Sequence, residues 1–211
     1  MRFAPLAILA AAAGWLALRW DTLPERWVIH WGPGGVPNGY ASKTFSGVFG
    51  PLLLGVALAI LLELVAVFTE RFSRAKLPRL VRAYGNLVRW VAIGQSTALA
   101  AIALRLPSNT PPSPHLLVGL SLGAVVLALV VGGFSIAAAT RQMTAAGEPL
   151  PKGYGPFLYR NPEDPRLIVP KLVGIGWTLN FAHRAAWLLL GLLLVLVALA
   201  ALLLSSLQRS A

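Results

Sequence analysis

Long apolar runs constrain this chain more than any other feature of its sequence. Five of them occupy residues 3–18, 46–68, 87–106, 115–139 and 185–207. About 20 consecutive apolar residues cross the hydrocarbon core of a bilayer as a helix. The chain is 57% hydrophobic and only 12% charged, whereas soluble domains carry about a quarter charged residues. We therefore predict an all-α integral membrane protein with about five transmembrane helices.

Lysine and arginine residues crowd one connection, residues 70–89, between the second and third runs. Short loops rich in these residues stay on the cytoplasmic side of a bilayer. With this loop inside, 13 of the 18 cationic residues of the chain lie inside. The five that lie outside are Arg19, Arg26, Lys43, Arg105 and Arg209. The sequence therefore predicts the N-terminus inside and the C-terminus outside.

This orientation divides the chain into three regions. Residues 1–139 form a four-helix membrane domain, with an outer loop at 20–45 and a basic inner loop at 70–89. Residues 140–184 form a small β-like insertion on the cytoplasmic side, and residues 185–211 form the fifth transmembrane helix. One compact bundle is expected at this chain length.

The first apolar run is short for a span. Arg2, the apolar stretch and the alanines at 11–13 also fit the pattern of a cleavable signal peptide. Trp15 and Trp20 stand at its far end, where aromatic side chains commonly anchor a helix at the interface. We expect a retained first helix.

Two of the predicted spans carry polar side chains that are costly in hydrocarbon. Glu63 lies in the second span, and Arg89 and Gln95 lie in the third. Because these spans are adjacent and antiparallel, we expect Arg89 to be a partner of Glu63. Two interpretations stay open, a structural ion pair and a small permease whose path is lined by Glu63, Arg89 and Gln95.

The outer loop is rich in glycine, proline and tryptophan. Residues 26–31 are expected to form a short extended piece, and the glycines that follow allow tight turns. We predict an outer ligand-binding patch formed by Trp27, His30, Trp31, Tyr40 and Lys43. The chain has no cysteine and no closely spaced histidine pair, so we predict no metal, no cofactor and no catalytic residue. A membrane enzyme that uses His30 at the outer surface remains an alternative.

The cytoplasmic insertion contains short apolar-aromatic stretches at 157–160 and 166–169, separated by a turn-rich segment at 161–165. This pattern predicts a hairpin, with 177–181 as a third strand. Its conspicuous polar and aromatic residues predict a docking surface for a partner. They are Asp164, Arg166, Lys171, Trp177 and Asn180. The alternative for Asp164 and Arg166 is a structural brace across the turn.

Residues 23–43 read LPERWVIHWGPGGVPNGYASK. They resemble the outer-loop signature of the SdpI-type immunity proteins, a bacterial membrane family of uncharacterised function. That signature runs Leu-Pro, an Ile shortly before a His, an aromatic residue, Gly, Asp-Gly-Tyr and Ser-Lys. The matching residues are Leu23, Pro24, Ile29, His30, Trp31, Gly35, Gly39, Tyr40, Ser42 and Lys43. The chain departs at Gly32, where the family has Asn, and at Asn38, where it has Asp.

Residues 159–181 resemble a cytoplasmic module found in the same bacterial proteins. Its pattern is Tyr-x-Asn-Pro-x-Asp-Pro-Arg, then Val-Pro-Lys, then Gly-x-Gly-Trp-Thr-Leu-Asn-Phe. The matching residues are Tyr159, Asn161, Pro162, Asp164, Pro165, Arg166, Val169, Pro170, Lys171, Gly174, Gly176, Trp177, Thr178, Leu179, Asn180 and Phe181.

The best-studied relatives protect a producing cell from its own secreted peptide toxin and hold a repressor at the membrane. The resemblance therefore implies a non-enzymatic immunity or signalling protein of the bacterial inner membrane. It would bind a hydrophobic peptide or a lipid at its outer loop. The implied partners are membrane lipid, a peptide toxin outside and a cytoplasmic protein such as a repressor. Direct nucleic-acid binding is not expected, and a homodimer is left open.

Overall fold

The computed structural model describes residues 1–32, 35–73, 77–108 and 112–210, with side chains up to residue 200. These residues form five helices, as the sequence predicted. They are α1 (Ala4–Leu18), α2 (Phe45–Phe72), α3 (Pro78–Arg105), α4 (Pro114–Ala145) and α5 (Arg184–Ser210). Two short antiparallel hairpins accompany them. One joins β1 (Arg26–Trp31) to β2 (Pro37–Ser42), and the other joins β3 (Ile168–Pro170) to β4 (Trp177–Leu179).

Three helices, α2, α3 and α4, are long and apolar enough to cross a membrane. They contain 28, 28 and 32 residues, so each is at least about 42 Å long at 1.5 Å per residue. A hydrocarbon core is about 30 Å thick, so their ends extend past it. Helix α1 and the Arg184–Ala200 part of α5 are apolar but shorter.

Local chemistry fixes where the three long helices begin. The Thr44 hydroxyl accepts a hydrogen bond from Gly47 N–H at 3.1 Å and caps α2. The Ser113 hydroxyl accepts from Leu116 N–H at 3.3 Å and caps α4. Pro78 occupies the first turn of α3, where a missing N–H does no harm.

The predicted basic inner loop at 70–89 is largely helical, which corrects the sequence interpretation. Helix α2 continues to Phe72 and α3 already begins at Pro78, nine residues before the predicted start of the third span. Arg74 and Lys76 lie outside the described residues. The physical reason is that a helix accepts charged residues on one face: Arg79 and Arg82 are exposed, while Leu80 is buried.

Helix α3 is the central element of the bundle and packs against α1, α2 and α4. Small residues allow its close approach to α4. A Cβ added at Gly94 would lie 2.6 Å from the carbonyl oxygen of Ala124 and 2.8 Å from Cβ of Ala128. Helix α5 makes no extended contact with another helix or strand along its described length.

Two apolar clusters hold the ends of the bundle. At the hairpin end, the β1–β2 hairpin packs on α1, α2 and α3 through a buried group. Its larger members are Leu9, Leu16, Leu23, Trp27, Val48 and Leu52. At the module end, α3 and α4 meet the segment between α4 and α5 (residues 146–183, hereafter the module). This second cluster centres on Leu80, Ile136 and Met143, with Leu150 and Leu172 from the module packed against it.

The hairpin at the first end confirms the extended piece predicted at 26–31. Strand β1 pairs with β2 from Arg26↔Ser42 to Trp31↔Pro37, with irregular register on both sides of His30. The ladder continues beyond β2, because Lys43 N–H donates to the Glu25 carbonyl at 2.9 Å. The hairpin therefore leads directly into the capped start of α2.

The third strand predicted at 177–181 is confirmed in part as β4, but the predicted hairpin between 157–160 and 166–169 is wrong. Residues 168–170 pair with 177–179, and Tyr159 forms only isolated bridges, with Tyr154 and Asn180. The true hairpin turns at Gly174 and Gly176, whose φ angles of +79° and +111° favour glycine. The segment 161–165 turns through side chain–backbone hydrogen bonds and not through a strand ladder.

Candidate functional site

A buried arginine on α3 joins two carboxylates on α2. The Arg89 side chain is only 7% exposed. Its Nε and Nη2 atoms donate to Glu63 at 2.9 and 3.1 Å, and its Nη1 and Nη2 atoms donate to Glu70 at 2.6 and 3.2 Å. The planar fork of a guanidinium suits this use, because it holds several donors in a fixed geometry.

Helix geometry explains why these groups meet. Glu63 and Glu70 are seven residues apart, about two turns, so they share one face of α2. Gly85 on α3 leaves room for one of them, since a Cβ there would lie 2.3 Å from Oε1 of Glu70. Glu63 is nine residues before Phe72, about 13 Å from the helix end. The cluster therefore extends from the helix ends towards the interior of the bundle.

Arg2, just before α1, completes the group. Its Nε lies 3.4 Å from Oε1 of Glu63 and its Nη2 lies 3.8 Å from Oε2 of Glu70. Two cations thus face two anions, and we name this set (Arg2, Glu63, Glu70 and Arg89) the four-charge cluster. It links α1, α2 and α3 at the module end.

The predicted pairing of Glu63 with Arg89 is confirmed. Glu70 and Arg2 were missed, although the seven-residue spacing of the two glutamates signals a shared helix face. Arginine stays protonated in proteins, and both carboxylates are paired. The cluster is therefore suited to fixing three helices relative to one another.

Gln95, the third predicted intramembrane residue, is not part of the cluster. It lies six residues after Arg89 on α3, which rotates its side chain by roughly 240° around the axis. Both amide atoms of Gln95, and the hydroxyl of Ser96, are buried without a hydrogen-bond partner among the residues that the structure describes.

The predicted outer patch is divided between core and surface. Trp27 is 3% exposed and belongs to the core of the hairpin end. His30 is exposed, and its Nδ1 lies 2.5 Å from Oδ1 of Asn38. Trp31 is half-buried against the same core, and Tyr40 is exposed.

Two cationic side chains of this hairpin region, Arg26 and Lys43, make defined contacts. The guanidinium carbon of Arg26 lies 4.2 Å from the ring centre of Tyr40, a cation–π contact. Lys43 pairs with Glu25, with 3.2 Å between Nζ and Oε1. Lys43 therefore ties the end of β2 to the segment before β1.

A cavity of about 230 Å³ lies between the hairpin and the ends of α2 and α3. Its walls are mainly apolar and include Trp27, Ile29, Ala41, Val48, Pro51 and Leu106. Trp27 is the member of the predicted patch among its described lining residues. Elsewhere in the described parts of the chain, no three His, Asp or Glu side chains approach closely enough to hold a metal ion.

In the module, a buried asparagine holds the backbone together. Asn180 is fully buried, and its Nδ2 donates to the carbonyls of Asn161 at 2.8 Å and Asp164 at 3.1 Å. Its Oδ1 accepts from the N–H groups of Asn161 and Ala182 at 3.0 and 3.2 Å. One side chain thus holds the turn-rich segment at 161–164 against the chain that follows β4.

Asp164 forms the second node of the module. It accepts hydrogen bonds from the Arg166 guanidinium at 2.8 and 2.9 Å, from Arg166 N–H at 3.1 Å and from the Tyr159 hydroxyl at 2.8 Å. These bonds, led by the Arg166 guanidinium, hold the pKa of Asp164 far below its usual range. The same contact raises the pKa of Arg166.

Of the predicted docking residues, Asp164 and Asn180 are buried and stabilise the module itself. Arg166, Lys171 and Trp177 are exposed. The side chains of the exposed three reach the surface of the module. The buried two are not accessible there and hold the backbone of the module in place. The structural brace foreseen for Asp164 and Arg166 is confirmed.

Two family models match the chain. Residues 7–55, from α1 through the hairpin into α2, match a domain of unknown function (DUF1648). Residues 162–187, from the module into α5, match a family of unknown function (DUF5808). No curated protein and no solved structure is significantly similar to the chain. Neither family description names an activity, so the SdpI-type resemblance stays a prediction.

Proposed function

We propose that this chain is a non-enzymatic, multi-pass protein of the bacterial inner membrane that acts in immunity or signalling. In this proposal the hairpin faces outwards and binds a hydrophobic peptide or a lipid. The module faces the cytoplasm, where its exposed residues meet a protein partner such as a repressor.

The cavity under the hairpin carries the proposal. Ligand sites are concave and mostly apolar, with a few polar groups. This cavity has mainly apolar walls that include Ser46 and the half-exposed Ile29, and its volume of about 230 Å³ suits one apolar side chain or part of an acyl chain. Exposed His30 and Tyr40 on the same hairpin offer polar and aromatic contacts to a bound peptide or headgroup.

The distribution of cations supports the orientation. The module end carries most of the lysine and arginine residues whose side chains are described. Examples are Arg2, Arg79, Arg82, Arg141, Lys152 and Arg160. The hairpin end carries Arg19, Arg26, Lys43 and Arg105. Because lysine and arginine are enriched in cytoplasmic loops, the module end is assigned to the inside.

The two alternatives receive less support. A permease that uses Glu63, Arg89 and Gln95 would need unpaired charged side chains along its path. Glu63 and Arg89 are instead paired with each other, and Gln95 lies on another face of α3. An enzyme that uses His30 would need a nucleophile as well as an orienting group; the Asn38 amide, in contact with His30 Nδ1, can orient the ring but supplies no nucleophile.

The test uses cells that lack the gene and are complemented with variants of the full chain. We expect Ile29→Asp, in the cavity lining, to sensitise cells to a membrane-active peptide as strongly as the deletion does. Val36→Asp is the matched control, because Val36 is exposed on the same hairpin and is not among the cavity's lining residues. Membrane levels of both variants are measured by immunoblot. Unchanged killing curves across a peptide panel would reject the proposal.

A further inference from the structure

A second cavity lies where the module meets the membrane helices. It has a volume of about 470 Å³ and is walled by the last turns of α2, the first half of α3 and the module. Drug-sized and cofactor-sized ligands occupy sites of roughly 300–1,000 Å³. None of the proposals for the hairpin involves this cavity, which lies at the opposite end of the bundle.

Two hydrogen bonds fix the walls of the cavity. The N–H of Gly174, in the loop between β3 and β4, donates to the Ser73 hydroxyl at 2.9 Å, just beyond the end of α2. The Tyr84 hydroxyl of α3 donates to the carbonyl oxygen of Pro156. The module is thus attached to both helices, so the site is preformed.

The walls combine an apolar side with one cation. Val65 and Phe68 of α2 and Phe157 of the module contribute large apolar side chains that are at least two-fifths exposed. Lys171 is the charged residue among the described lining, and its ammonium has no ion-pair partner in the described chain. Thr69 and Thr178 also line the cavity, and neither hydroxyl has a hydrogen-bond partner among the residues described.

The cavity lies near the end of α2, which corresponds to headgroup depth for a helix that crosses a bilayer. Thr69 is three residues before the end of α2, about 4.5 Å along the axis, and α2 is longer than the hydrocarbon core is thick. Ile175 and Trp177, beside the cavity in the same hairpin as Lys171, are 53% and 65% exposed. Tryptophan favours the membrane–water interface.

We propose that this cavity binds one anionic phospholipid. An acyl chain lies against Val65, Phe68 and Phe157, and the headgroup phosphate meets the ammonium of Lys171 and the hydroxyls of Thr69 and Thr178. The match is one of charge and polarity, because a cation at headgroup depth beside an apolar wall selects an anionic headgroup joined to an apolar chain. The lipid would strengthen the attachment of the module to α2 and α3.

The experiment measures retention of lipid by the full chain purified in detergent. Phosphatidylglycerol and phosphatidylethanolamine with identical acyl chains are titrated, and bound lipid is counted by native mass spectrometry. We expect one tightly held phosphatidylglycerol and at least fivefold weaker retention of phosphatidylethanolamine. Lys171→Gln should weaken retention of phosphatidylglycerol about fivefold, the effect of one cation near an anionic lipid.

Two further variants separate the site from general charge effects. Lys152→Gln removes an exposed cation of the module that pairs with Glu163 and is not among the cavity's lining residues, so it should leave retention unchanged. Val65→Phe fills the apolar side and should weaken retention of both lipids. Equal retention of the two lipids, or equal loss in the Lys171 and Lys152 variants, would overturn the proposal. Protection from thermal unfolding by inorganic phosphate alone, equal to that by phosphatidylglycerol, would overturn it in favour of a simple anion site.

Discussion

Arg89 donates from Nε and Nη2 to the two carboxylate oxygens of Glu63, at 2.9 and 3.1 Å, and so joins α3 to α2. The same guanidinium reaches Glu70, two turns further along α2. A single side chain therefore constrains both the rotation and the axial position of one long helix against its neighbour. The pair of carboxylates would repel each other without it.

Removing this arginine should destabilise the bundle strongly. Arg89→Met leaves two partly buried carboxylates without their main partner, and breaking such a pair costs about 3 kcal/mol or more. The melting temperature in detergent, followed by tryptophan fluorescence, should fall by roughly 6 °C or more for a chain of this size.

Two variants test whether the loss comes from the uncompensated carboxylates. Arg82→Met removes an exposed arginine of α3 and should change the melting temperature little. Adding Glu63→Gln and Glu70→Gln to Arg89→Met should recover part of the loss. If the triple variant melts no higher than Arg89→Met, charge repulsion is not the cause.

Close packing of α3 on α4 gives a second prediction. Gly94→Ala places a methyl group within 2.6 Å of the Ala124 carbonyl oxygen. Overpacking of this kind costs about 1–3 kcal/mol, so the melting temperature should fall by several degrees. Gly123→Ala on α4 is the matched control, because a Cβ there meets no atom within 4 Å. Equal melting of the two variants would show that α3 and α4 adjust freely.

The sequence predicts the helices well and their ends poorly. Apolar runs identify all five helices, because the cost of exposing the backbone in hydrocarbon leaves little choice. An apolar run is bounded by the nearest charged residues, however, and does not show where the helix itself begins. Helix α3 begins at Pro78, nine residues before its apolar run. The buried Leu80 and Ala83 each follow an exposed arginine, Arg79 or Arg82, and this three-residue repeat shows a helical period in that stretch.

The first part of the module resists prediction because one distant side chain holds its backbone in place. Asn180 satisfies backbone groups of Asn161 and Asp164, 19 and 16 residues away. Local patterns cannot indicate such contacts, so the turn-rich segment at 161–165 suggested a hairpin that does not form. The glycines at 174 and 176 marked the true turn and were available in the sequence.

The central role of Asn180 gives a third prediction. Asn180→Asp replaces the donating amide with a carboxylate that faces the carbonyls of Asn161 and Asp164. Loss of a buried donor costs about 1–3 kcal/mol, and a charge costs more. Limited proteolysis should cleave the variant within residues 146–183 while the helices stay intact. Glu163→Gln, at an exposed site in the same module, should resist cleavage like the unmodified chain.

Acid should loosen the same module through Asp164. Its pKa is lower in the folded chain than in the unfolded one, because the ionised carboxylate accepts bonds from Arg166 and Tyr159. The stabilisation is therefore complete above the unfolded pKa of about 3.9 and is lost as the pH falls through the lower folded value. Cleavage of the module by pepsin should rise progressively as the pH falls from about 4 towards the lower folded pKa. Asp164→Asn should be cleaved readily at pH 5 and should show a flatter pH profile.

Orientation in the membrane can be tested cleanly, because the chain has no cysteine. Ser42→Cys places a thiol on the exposed edge of the hairpin, and Glu148→Cys places one on the exposed start of the module. If the cationic end faces the cytoplasm, a membrane-impermeant maleimide added to intact spheroplasts should label Cys at position 42 and not at position 148. Permeabilisation should then expose position 148, which shows that its thiol is reactive. The reverse labelling would place the module outside, and the hairpin could not then meet a secreted peptide.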